Sequence, residues 1–114
     1  MNPGYTSIER KAFAKILLEI ISADRKLAFE ESMLFEQLRK AFEISDYGLE
    51  DVYQMSLVDS IAILKQIPAN EKETFAVVMF KMITVDGDID SREIDVFHRV
   101  CSLADIKIPE NLLP

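Results

Sequence analysis

The segment Asp86-Gly87-Asp88-Ile89-Asp90-Ser91-Arg92-Glu93 gathers four carboxylates into eight residues. Carboxylates are the hard oxygen donors that Ca²⁺ and Mg²⁺ prefer, and Ca²⁺ takes about six to eight oxygens. The order carboxylate, Gly, any residue, Ile, Asp, then Glu three later matches the second half of an EF-hand loop. Such a loop also draws ligands from its first and third positions, which here fall on Met82 and Thr84. Met82 offers no hard donor, so this is not an EF-hand. Asp86, Asp88, Asp90 and Glu93 remain candidate ligands for a divalent cation, Ca²⁺ or Mg²⁺.

The same residues have a competing structural use. Gly87 takes a left-handed conformation without a Cβ penalty and so can end a helix. Asp90 can cap the next helix and Glu93 can close its capping box. Ile89 would then staple the turn to the core. Asp24-Arg25-Lys26-Leu27, with Glu31 beyond it, is a degenerate copy of this turn. It keeps Asp24, the apolar Leu27 and Glu31 but sets Arg25 and Lys26 where the later copy has Gly87 and Asp88. Two cations there repel a metal ion, so a cation site belongs first to the second copy.

Other chemistry is excluded or thin. The chain has one His and one Cys and lacks a Gly-rich phosphate loop, a G-x-S-x-G and an H-E-x-x-H. His98 and Cys101 are three apart on a helical pattern, but two ligands are too few for a transition metal. Cys101 lies on an apolar stripe, where an inert buried thiol is expected. Met33, Met55, Met79 and Met82 read as core fillers. With 20 acidic and 13 basic residues in 114, the formal charge is −7. That field repels phosphate backbones, so no nucleic-acid partner is expected. No apolar run approaches the ~20 residues of a membrane span. The lone Cys and the absence of an export signal give a cytoplasmic expectation.

Helices must position these residues. Thr6-Ser7-Ile8-Glu9 is a capping box, and Ile8, Ala12, Phe13, Ile16, Leu17, Ile20 and Ile21 form a stripe over residues 7–23. A second helix is expected from 29 or 30 to 42, with Leu34, Phe35, Leu38, Ala41 and Phe42 inward. Short helices are expected over 48–55 and 57–67, the latter capped by Ser56 and stopped by Pro68. Asn70 to Glu73 reads as another capping-box start, for a helix reaching residue 85. The last long stripe holds Ile94, Phe97, Val100, Cys101 and Ala104. Ile106, Ile108, Leu112 and Leu113 make an apolar tail. No strand alternation of useful length appears.

The two ends of the chain match at an offset of 62 residues. Phe13 meets Phe75, Ile21 meets Ile83, Asp24 meets Asp86, Glu31 meets Glu93, Phe35 meets Phe97 and Ile44 meets Ile106. Core and polar turn positions match together, which helical periodicity alone does not produce. The expected architecture is an all-α bundle of five to six helices. It is a single domain over 1–114, built from two pseudo-symmetric helix-turn-helix repeats at about 8–45 and 70–106.

Over about residues 8–106 the chain resembles the TerB-like family, the tellurite-resistance domain that is similar to the N-terminal cytoplasmic region of DjlA-type co-chaperones. The resemblance rests on Val85-Asp86-Gly87-Asp88-Ile89 with Glu93, and on Ala23-Asp24-Arg25-Lys26-Leu27 with Glu31. It implies a helical bundle with a pseudo-twofold repeat and a cytoplasmic role in tellurite or other chemical stress. It also implies divalent-metal binding by acids matching Asp86, Glu93, Asp24 and Glu31. Arg25, in place of the family's glycine, departs from that pattern.

The expectation is a non-enzymatic module that presents its acidic turn to a divalent cation or a basic protein partner. The alternatives are a structural or dimerising domain, with Leu112 and Leu113 at its interface, and a metal-assisted hydrolase using the same acids.

Overall fold

The computed structural model describes residues 5–23, 29–85, 87 and 89–110. Local chemistry sets the helix starts. Thr6 Oγ1 accepts from the Glu9 amide at 3.2 Å and Glu9 Oε1 accepts from the Thr6 amide at 2.8 Å. That reciprocal box opens α1 (Ser7–Ser22). The next helix is α2 (Phe29–Ala41). Ser45 Oγ accepts from the Gly48 amide to open α3 (Asp46–Gln54), two residues earlier than the turn signal predicts. Ser56 does the same for α4 (Leu57–Lys65), which ends before Pro68. Pro68 itself is the N-cap of α5 (Ala69–Thr84) and has no side chain to cap with. Asn70 therefore lies inside the first turn rather than at the cap. Asp90 caps α6 (Ser91–Leu103). Among the described residues there are six helices and no strand, an all-α bundle. None of these helices is long and apolar enough to cross a membrane.

α1 is the axis of the molecule and packs against all five other helices. It buries Ala12, Phe13, Ala14, Ile16, Leu17, Ile20 and Ile21, a stripe wide enough for neighbours on several sides. Ile8, the first residue of the expected stripe, is exposed, because it precedes the point where neighbouring helices close over α1. Ala41, read as inward, is also exposed. Phe42 and Ile44 carry the packing just beyond it. In the tail, Ile106 is buried and Ile108 packs on the core, while Leu112 and Leu113 lie outside the described residues.

The 62-residue offset recurs in three dimensions. Shifted by 62, α1 coincides with α5 and α2 with α6, at the first and last residue alike. The C-terminal ends coincide too. Glu43 and Asp105 both adopt left-handed backbone, at φ 59° and 55°. The following Ile44 and Ile106 amides donate back to the carbonyls of Arg39 and Cys101, at 3.1 and 2.8 Å. These are two Schellman closures at matched positions. α1 packs on α6 and α2 on α5, the two crossings that exchange under a twofold. The offset mates Phe13 and Phe75 lie against each other, ring centroids 4.9 Å apart. α3 and α4 fill the interval between the repeats, both against α1 and α4 also against α6.

Candidate functional site

α5 runs into the acidic turn at Thr84, whose Oγ1 donates to the Phe80 carbonyl at 3.1 Å. The Gly87 amide then donates to the Thr84 carbonyl at 3.0 Å, and Gly87 sits at φ +81°. That conformation is the reason for a glycine, since open space surrounds the position where a Cβ would stand. Ile89 is 58% exposed. It therefore does not staple the turn to the core.

Asp90 acts as the α6 cap. Its Oδ1 accepts from the Arg92 amide at 2.8 Å and from Arg92 Nε at 3.2 Å, and its Oδ2 accepts from an Arg92 terminal nitrogen at 3.1 Å. The Arg92 side chain, then the Arg92 amide, hold the Asp90 carboxyl below the usual carboxylate range. Glu93, three residues on, is withdrawn from water at 2% exposure. Its offset mate Glu31 is withdrawn equally, at 1%. Both occupy the third position of their helices, four residues before the buried aromatics Phe35 and Phe97. Asp86, Asp88 and Asp24 lie outside the described residues. Among the described residues no cluster of three metal-ligating groups forms.

Of the four acids that the sequence groups together, the two described ones have different surroundings. Asp90 is spent on Arg92, whereas Glu93 joins the interior. The pairing of Glu31 with Glu93 as buried acids is the feature that residue type conceals, since glutamate is rarely fully buried. The available signal was register: each glutamate is in phase with the apolar stripe that follows it.

The remaining candidates resolve simply. His98 is exposed and Cys101 is buried, so the two do not share a surface. Burial pushes the Cys101 thiol up to about 12, which leaves it protonated and unreactive at neutral pH. Met79 and Met82 fill the core, but Met33 is 48% exposed. A cleft of about 220 Å³ lies between the first turns of α1 and α3. Arg10, Lys11, Glu43 and Asp51 line it with both signs of charge, and Lys11 Nζ donates to Asp51 at 2.8 Å. It therefore selects neither cation nor anion.

No family model matches the chain, and no curated protein matches it. The fold is similar to a crystal structure of a protein of unknown function from Porphyromonas gingivalis W83. The TM-score is 0.75 at 19% identity, over 92% of this chain and 88% of that one. At that identity the likeness concerns the fold alone.

Proposed function

We propose that this chain is a non-enzymatic, cytoplasmic TerB-like module that holds a divalent cation, Ca²⁺ or Mg²⁺, where the acidic turn meets α6. The start of α2 is its degenerate counterpart. Tellurite or other chemical stress is the setting that the family resemblance implies.

The supporting observation is the paired burial of Glu31 and Glu93. Capping does not require it: Glu9, at the same helix position in the α1 box, stays half-exposed. Withdrawing a carboxylate from water is costly unless charge or hydrogen bonding compensates. Both glutamates have partners within the protein, and a divalent cation in the adjoining turn is proposed as a further one, with the right sign and the right donor preference. Glu93, with Asp86 and Asp88, forms the proposed ligand set, and Asp90 stays the cap. Arg25 and Lys26 oppose a cation in the first repeat, so one strong site is expected rather than two.

Amide NMR during Ca²⁺ and Mg²⁺ titration tests the proposal. Saturable shifts confined to residues 86–93 support it. An unchanged spectrum up to about 10 mM, some tenfold above the ~1 mM Kd of the weakest biological calcium sites, refutes it and leaves a scaffold.

A further inference from the structure

The repeats agree in their core and in the closures that end α2 and α6 but differ on one outer face. Phe29 is 72% exposed and Met33 is 48% exposed on α2. Their offset mates on α6 are Ser91 and Asp95, so the hairpin fold itself does not call for apolar residues there. Helical spacing puts Phe29, Met33, Gln37 and Lys40 along a single outward stripe. Ser32, Met33, Glu36, Gln37 and Lys40 line a shallow hollow of about 370 Å³ on that face.

The charges along α2 select the occupant. Glu30 stands in the first turn and Lys40 in the last, both exposed. Neither makes an ion pair among the described residues. About 15 Å separates them along the helix at 1.5 Å per residue. Such a helix is complementary to itself when reversed. We propose that the α2 faces of two copies of this chain pair antiparallel. Met33 of each copy then lies beside Gln37 of the other, and Glu30 of each beside Lys40 of the other. A parallel pairing sets Glu30 against Glu30 and Lys40 against Lys40, and like charges at close range are disfavoured. Reversed helix dipoles add to the preference.

Sedimentation equilibrium on the full chain, up to about 1 mM, tests this. The wild type is expected to dimerise, and Met33→Asp, which installs the α6 residue type, to be monomeric with an unchanged far-UV circular dichroism spectrum. Glu30→Lys and Lys40→Glu alone are each expected to weaken the dimer about tenfold, and the double exchange to restore it. A wild type that is monomeric throughout overturns the proposal, as does a dimer indifferent to Met33→Asp. A double exchange no better than the single variants overturns the antiparallel arrangement.

Discussion

Asp90 concentrates the turn's local electrostatics in one side chain. Its carboxyl is held below the ordinary value of 3.8 by Arg92, so the folded state favours the charged form. The unfolded chain therefore takes up the proton first as pH falls, and the stability contributed by Asp90 is present above 3.8 and lost below it. Asp90→Ala is expected to lower the melting temperature at pH 7, with the gap to wild type closing in acid below 3.8. Asp90→Asn, which keeps a capping oxygen, should retain most of the wild-type value at pH 7. Cys101 gives a second check at this scale. With its thiol buried and raised to about 12, it should resist a thiol reagent at pH 8 in the native state and react fully in guanidinium. Asp90 as a cap was legible from its place before α6. The burial of Glu93 was not, because residue type argued for water and only its register with Phe97 argued for the interior. Ile89 and Met33 failed in the opposite sense, since apolar character alone does not reveal that they are left exposed.

At the scale of the element, the helix ends carry the testable content. Thr6→Ala removes one arm of the α1 capping box and is expected to cost about 1 kcal/mol in urea unfolding. Glu43 and Asp105 close α2 and α6 from left-handed backbone that ordinary residues adopt at a cost. Glu43→Gly is expected to stabilise the protein by about 0.5–1 kcal/mol, and Gly87→Ala, at φ +81°, to destabilise it by a similar amount. Opposite signs for the two exchanges at two left-handed positions follow from conformation alone. The starts of α1, α4 and α6 were readable because Thr6, Ser56 and Asp90 are strong capping residues. The start of α5 was displaced because its N-cap is Pro68, which has no side-chain acceptor to signal it. The Schellman ends were invisible for the converse reason: Glu43 and Asp105 are not the glycines that normally announce them.

For the whole molecule, the 62-residue repeat is the organising fact, and Phe13 against Phe75 is its point of contact. Truncating Phe13, which also meets Tyr5 and Phe42, is expected to cost about 3–5 kcal/mol. That is a large share of the ~5–15 kcal/mol stability of an ordinary domain, so Phe13→Ala should unfold at a clearly lower urea midpoint than wild type by circular dichroism. The repeat was legible because core and turn residues matched at one offset. The central position of α1 was not, because α3 and α4 belong to neither repeat and their packing against α1 leaves no periodic trace. The functional claim rests on the two glutamates that this symmetry buries. Its most direct test is the melting temperature of wild type and Glu93→Gln with and without Ca²⁺ or Mg²⁺. A bound cation should stabilise the wild type by about 2.7 kcal/mol at a hundredfold excess over Kd and leave Glu93→Gln unmoved. A wild-type melting temperature that is the same with and without either cation contradicts the account.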